Sequence, residues 1–484
     1  MALDRFREQM RLISEAMGGV ELVAGPHDDD PRYIYQSGHV LARVEELPDV
    51  VPAVNVGRTE SVRVPHESEA RAGLVRIEVV DPSLSDSRDG GVTETLGKLR
   101  EMETRNGRRM LSRNNVVAIT PGVVNSCPSD EPAPTDADLH PRPSMTGAAL
   151  SGVEVMIIDT GLLQGFETEH PWMAHVRAEG FNKPAFADGH IPMYAGHGTF
   201  IAGLLVAVAP SARVRVSAAL NDAGSILEDD FGQTLLDALG PDWPAVISLS
   251  AGTESDDGGP LMGLEDFMRE LDVREGTLLV AAAGNNGSDV PFWPAAHTLT
   301  PHRAGVLSVG ALRADGDGSA CFSNHGDWVS VFAPGERLVG PFAGRAGTDD
   351  PYLYQHSTFD HCRYKLDPDD PRPFYYDCTC GFPPRVGRLS VEDADSPARV
   401  STAEFDGRAI WSGTSFATPL VAAMVVNYML EKNVSDPRAA ARDLIQDRSE
   451  HVTVRGRRAR ALRPDGWDAQ PVAAFPPLPA PPQP

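Results

Sequence analysis

The 484 residues exceed what one ordinary core organises, so two or three structural units are expected. Hydrophobic residues make up 41% and charged residues 23%, the balance of a soluble globular chain with ample material for a core. A formal charge of −25 argues against nucleic acid and anionic membranes as partners, five cysteines are too few for a disulfide framework, and no apolar run is long enough to predict a transmembrane helix.

At the N-terminus Leu3, Phe6, Met10, Ile13 and Met17 recur at intervals of three and four and predict a helix docking by one face on its own domain. Charges interrupt this stretch, so it lacks the apolar centre of a secretory leader. A cytoplasmic protein is expected, or a secreted one if a leader has already been removed. Strand-like runs at 38–44, 74–80 and 115–119, with a helix-like run at 92–104, give residues 1–125 an α+β pattern. Residues 126–149 are rich in Pro, Asp and Ser, lack periodicity and read as a linker, which holds Cys127.

From residue 150 the pattern changes. The runs 153–158, 214–218, 246–249, 278–282 and 306–309 are β-rich and apolar on both faces, as buried parallel strands are. Helical segments between them predict βαβ units and an α/β, doubly wound, mostly parallel sheet spanning 150–468. Residues 341–400 interrupt this order as an insertion rich in Pro, Asp, Tyr and Arg. A long apolar helix follows from about 415 to 430, and the Pro/Ala-rich tail 469–484 is expected to be disordered.

Four short segments carry residues suited to chemistry. Asp159 ends the first buried run, where open parallel sheets place their ligand crevice, although an Asp after a strand often only caps a turn. His197 lies between Gly196 and Gly198 at the start of an apolar helix, and glycines there let other groups approach the ring. Asn285, in Gly284-Asn285-Asn286-Gly287, follows another buried run and can donate its side-chain amide to an oxyanion, or serve a turn. Ser415, in Gly413-Thr414-Ser415-Phe416-Ala417-Thr418-Pro419, opens the long helix, where a serine is usually a cap but also lies in the helix's positive field. Singly, each has an ordinary structural explanation. Together, Asp, His and Ser stand at element boundaries in the chain order of one known nucleophilic triad.

On these motifs residues 150–432 resemble the subtilisin-like serine peptidases. Ala209-Pro210, Leu249-Ser250-Ala251-Gly252, Phe292-Trp293-Pro294-Ala295, Phe322-Ser323-Asn324 and Ala333-Pro334-Gly335 are similar to further family segments in the right order. The resemblance implies a serine endopeptidase acting on protein or peptide substrates, with Ser415 as nucleophile, His197 as base and Asp159 orienting it. Asn285 then completes the oxyanion hole. It also implies that Ser250, Ala251 and Gly252 bind substrate as a strand, and that Ala283 and Gly284 line the primary pocket. Residues 1–125 resemble the family's folding-assisting, inhibitory propeptide in position more than in sequence, and a regulatory domain is the alternative. A silent peptide-binding protein of the same fold, and a triad-based acyltransferase or esterase, are the competing functions.

Two features depart from the family. Phe416 stands where Met is usual, and the insertion is unusual. Inside it His356, His361, Cys362, Cys378 and Cys380 cluster. Zinc at His361, Cys362, Cys378 and Cys380 suits the ligand types but not any standard spacing, and free thiols or one disulfide from Cys362 account for them as well. Calcium is suggested by the resemblance alone; no residue is assigned to a metal.

Overall fold

The computed structural model describes residues 2–27, 31–58, 60–66, 69–80, 87–119, 132–144, 149–179, 191, 194–301, 305–344, 352–354, 389–392, 400–403 and 405–470. Cys127, the five His and Cys residues of the insertion and the last 14 residues of the tail lie outside these.

The N-terminal segment runs α1 (Ala2–Ala16), β1 (Leu22–Pro26), β2 (Pro31–Arg43), α2 (Leu47–Asn55), β3 (Leu74–Glu78), α3 (Val92–Asn106) and β4 (Leu111–Ala118). The strands pair antiparallel, with β2 central between β1, β3 and β4. Side-chain alternation along β2 sends Tyr33 and Tyr35 to one face and Ile34 to the other. The first face packs with Val50 and Val54 of α2 and Leu96 and Leu99 of α3. On the second, Phe6 and Ile13 of α1 meet Ile34, Val116 and Ala118. The helix read at the N-terminus therefore does dock by its apolar stripe.

After β5 (Ala133–Pro134) come β6 (Glu154–Asp159), α4 (Phe166–Glu169), β7 (Arg177–Glu179), α5 (His197–Val208), β8 (Arg213–Ala218), β9 (Ser225–Leu227), α6 (Glu228–Leu239), β10 (Val246–Leu249), α7 (Glu265–Val273), β11 (Leu278–Ala282) and β12 (Val306–Leu312). The chain continues through β13 (Val331–Pro334), β14 (Leu338–Pro341), β15 (Tyr352–Tyr354), β16 (Leu389–Glu392), β17 (Val400–Ala403), β18 (Arg408–Trp411), α8 (Thr414–Lys432), α9 (Pro437–Arg448), β19 (Glu450–Val454) and β20 (Arg457–Ala461).

Nine strands form the main sheet in the order β19-β20-β13-β12-β11-β10-β6-β8-β7. Every neighbour pair is parallel except β19 with β20. The apolar runs read from the sequence are β6, β8, β10, β11 and β12. The two-sided burial of β6, β10, β11 and β12 follows from helices on both faces, whereas β8 alternates, with Arg213 exposed and Arg215 half-buried beside the buried Val214 and Val216. The chain leaves β6 toward β8 on one side and later adds β10 on the other, so a switch in winding direction falls at the carboxyl end of β6. Helix α8 is apolar around its whole circumference because it is enclosed on nearly all sides.

Part of the stretch read as a linker is structured, since Ala133–Pro134 pairs with β18. β15 and β16 of the insertion form a three-stranded antiparallel sheet with β17, which starts at its last residue. Among the described residues no helix is long and apolar enough to cross a membrane, and no cluster of three His, Cys, Asp or Glu is arranged to hold a metal.

Candidate active site

Asp159 is the last residue of β6 and His197 the first of α5; both are buried. Nδ1 of His197 lies 2.9 Å from each carboxylate oxygen of Asp159. The carboxylate is itself fixed, with Oδ1 accepting from the Thr160 N–H at 2.7 Å and from its hydroxyl at 3.1 Å. A carboxylate held in this way orients the ring and leaves Nε2 as the free nitrogen.

The two glycines around His197 permit this approach. A Cβ on Gly198 would stand 2.2 Å from the carbonyl oxygen of Gly161 and 3.2 Å from Oδ1 of Asp159. One on Gly196 would stand 2.2 Å from the Phe342 ring. Aromatic rings enclose the imidazole, with Trp411 edge-on at 5.2 Å, Phe416 tilted at 5.2 Å and Tyr194 edge-on at 6.2 Å. Phe416 thus fills space against His197.

Ser415 lies in the first turn of α8, immediately before Phe416, with its side chain almost wholly buried. First-turn N–H groups have no acceptor within the helix, so the Ser415 amide is available to a ligand. Four residues on, Pro419 has no N–H to return to the Ser415 carbonyl. The hydroxyl of Ser250 supplies that donor from the end of β10, at 3.0 Å. Ser250 therefore braces the segment that carries Ser415 through its side chain, apart from the strand-binding role implied by resemblance.

Asn285 is buried after β11. Its Oδ1 accepts from the Thr414 N–H at 2.9 Å and from the Thr414 hydroxyl at 3.0 Å. That hydroxyl in turn accepts from the Gly284 N–H at 3.1 Å. With Oδ1 engaged, the side-chain nitrogen is the end of Asn285 left to donate. Asn324 ties down the same loop, donating to the Ala283 carbonyl at 2.8 Å and accepting from the Asn286 N–H at 2.9 Å. Gly284 has φ +94°, a conformation that favours glycine. Thr414 and Asn324 lie inside motifs read from the sequence, yet nothing in those motifs announced their bonds. Trp411 carried no sequence signal at all.

The backbone of Gly252 is occupied. Its N–H donates to the Ala118 carbonyl at 3.0 Å, and its carbonyl accepts from the Ala118 N–H at 3.1 Å. On its other side the same segment pairs antiparallel with β9, and the Ile119 N–H reaches the Gly224 carbonyl at 2.9 Å. The end of β4 thus lies as a middle strand between β9 and the segment Ser250–Gly252. Just behind it, Glu228 accepts from the Asn115 side-chain amide at 2.5 Å and from the Gly263 N–H at 3.0 Å. Complete burial pushes its carboxyl up to about 7, against the smaller opposing effect of these bonds and of Arg109.

A model of the subtilase family, Peptidase_S8, matches residues 151–467. A thermophilic serine proteinase from Bacillus sp. (strain AK1) is 32% identical over 220 residues, covering 43% of this chain and 49% of that protein. Subtilisin Savinase from Lederbergia lenta is 30% identical over 209 residues, 41% of this chain and 69% of the relative. The chain thus spans about half the length of the first relative. Among solved structures, fervidolysin from Fervidobacterium pennivorans, a keratinolytic enzyme related to subtilisin, superposes with a TM-score of 0.50 at 16% identity. That match covers 93% of this chain and 63% of fervidolysin, and it shows a shared fold.

Proposed function

This chain belongs to the subtilase family, and from that membership we propose that it is a serine endopeptidase whose working groups are Ser415, His197, Asp159 and Asn285. The observation that carries the reading is the buried Asp159–His197 pair, both carboxylate oxygens 2.9 Å from Nδ1. Ser415 Oγ attacks the scissile carbonyl carbon and His197 Nε2 takes its proton. The carbonyl oxygen becomes an oxyanion, bonded by the Asn285 side-chain N–H and the Ser415 backbone N–H. Collapse breaks the C–N bond, and His197 gives the same proton to the leaving amine. Water, deprotonated by His197, then hydrolyses the acyl-serine and regenerates the enzyme.

The test is labelling of full-length protein with a fluorophosphonate, followed by peptide mapping. The expected adduct sits on Ser415 and is absent from Ser415→Ala. Incubation with a mixed peptide library, read by mass spectrometry, should then give cleaved peptides. Labelling at another residue, or none at any pH even after removal of residues 1–149, overturns the reading.

A second reading concerns the N-terminal segment. The reciprocal bonds of Ala118 to Gly252 put it where the family resemblance puts substrate, which supports a chain made as a zymogen, inhibited by its own β4. Under that reading fluorophosphonate labelling of the full chain is slow, and cleavage within residues 125–149 accelerates it.

A further inference from the structure

The last residues of β10 and β11 that pair are Leu249 and Ala281. Beyond them the two chains part. Gly252 turns its main chain to Ala118, while the Ala283 N–H donates to the Val309 carbonyl at 2.9 Å. The gap that opens between Gly252 and Gly284 lies at the carboxyl ends of the strands, where open parallel sheets bind ligands. One side chain of the protein fills it. A Cβ on Gly284 would stand 2.9 Å from Cγ and 3.0 Å from Cδ1 of Phe292, and one on Gly252 would overlap Cε1 of the same ring. A single edge of the Phe292 ring therefore lies against both glycines. The ring is 1% exposed and is held from behind. Its neighbour Trp293 exchanges two main-chain bonds with Thr253, at 2.9 and 3.0 Å, and the Phe292 carbonyl accepts from the Ala296 N–H at 2.8 Å.

Strand geometry determines which substrate side chain meets the ring. Residues directly opposite in an antiparallel pair send their side chains to one face, and so do residues two apart along a strand. Ala118, antiparallel and opposite Gly252, marks that face. A substrate extended on the same track presents its next side chain on this face opposite Ser250. Ser250 adjoins the chain at Ser415, through the bond from its hydroxyl to the Ser415 carbonyl. The substrate residue opposite Ser250 is thus the one that offers its carbonyl to Ser415, and its side chain points into the gap that Phe292 holds.

We propose that Phe292 is a specificity-determining residue and that the substrates are polypeptides with glycine, alanine or serine at the residue that supplies the scissile carbonyl. The inference rests on the peptidase reading of Ser415. With the ring edge against both glycines, a methyl or hydroxymethyl group fits above it, whereas a Leu, Phe or Lys side chain meets the ring. The small residues Ala283 and Gly284, which the resemblance assigns to the primary pocket, would leave room for a large side chain, and Phe292 takes that room. A misfit of one methylene in an apolar pocket is worth roughly 10- to 200-fold in kcat/KM, and a whole large side chain lies at the upper end or beyond.

The test remakes one peptide cleaved in the mixed library with Ala, Ser, Leu, Phe or Lys before the scissile bond. Each is given to full-length protein, intact and nicked within residues 125–149. The expected kcat/KM for the Ala peptide is about 100-fold above that for the Phe peptide. In Phe292→Ala the gap is open, and the Phe-to-Ala ratio rises at least about tenfold. A ratio taken on one sample does not depend on how much of it is folded, so a merely structural role for the ring would not move it. Where Phe292→Ala does not fold, the wild-type ratio decides. Cleavage of the Leu, Phe or Lys peptide as fast as the Ala peptide by wild type, or an unmoved ratio in folded Phe292→Ala, overturns the proposal and leaves the peptidase reading standing. Cleavage of no library peptide by intact or nicked protein overturns the peptidase reading, and the proposal with it.

Discussion

Thr414 joins the two halves of the site through one side chain. Its hydroxyl accepts from the Gly284 N–H and donates to Oδ1 of Asn285, while its own N–H binds the same oxygen. An amide held at its oxygen by two donors cannot turn over without leaving both unpaired. On the proposed mechanism this keeps the nitrogen aimed at the developing oxyanion, and Thr414 is a positioning residue. Thr414→Val keeps the shape and removes the hydroxyl. The expected outcome is a fall in kcat of about tenfold with little change in KM, smaller than the roughly 100- to 1,000-fold loss for removing an oxyanion donor, which Asn285→Ala should show. Steady-state kinetics on one cleaved peptide check both. A KM effect without a kcat effect in Thr414→Val would mean that the threonine serves ground-state binding instead.

At the scale of elements, helix α8 starts with a defect that another element repairs. Pro419 deprives the Ser415 carbonyl of its helical donor, and Ser250 at the end of β10 replaces it. Ser250→Ala leaves that buried carbonyl unpaired and should cost about 1–3 kcal/mol. In a Pro419→Ala background the helix regains an N–H at the right place, so the same substitution should cost less than half as much. Urea melts of the four proteins of this cycle give the coupling, and additivity would show that the hydroxyl does not stand in for the missing donor. The example marks how far the sequence was legible. Strand positions were, because β6, β10, β11 and β12 are apolar on both faces and a two-sided pattern has few other meanings; β8 is a strand too, but Arg213, Arg215 and Ser217 make one of its faces polar. The element boundaries at Asp159, His197 and Ser415 were, because each carries its glycine or helix start in the adjacent residues. Bonds between elements far apart in sequence were not. Ser250 to Ser415, Asn285 to Thr414 and Ala118 to Gly252 join residues whose own neighbourhoods give no sign of the partner, and the aromatic enclosure of His197 by Trp411 is of the same kind.

At the scale of the whole molecule, the seam between the N-terminal segment and the main sheet buries a carboxyl that ionises in the physiological range. Glu228 faces the Asn115 amide and Arg109 from the N-terminal segment, the Gly263 N–H ahead of α7, and its neighbour Asp229, whose carboxyl burial also raises. Parting the seam wets Glu228 and returns it toward its ordinary value of 4.5 from about 7. The group is therefore raised in the closed form. Below pH 4.5 both forms hold the proton and its contribution to closure is fully present. From there to about 7 the open form ionises while the closed form does not, and closure weakens steadily. Above about 7 the contribution is gone. A difference of this size is worth on the order of 3 kcal/mol. The neutral acid needs an acceptor, and Oδ1 of Asn115 is buried without a partner beside it, so a turn of that amide would supply one. Rising pH should therefore open the cleft. Glu228→Gln stays neutral throughout and should keep it closed. The ratio of fluorophosphonate labelling rates, wild type over Glu228→Gln, isolates the effect, since His197 and Ser415 are common to both proteins. It is expected to climb from near one at pH 4.5 toward a plateau above pH 7. A ratio flat across that range, or one falling with pH, would mean that Glu228 does not govern the seam.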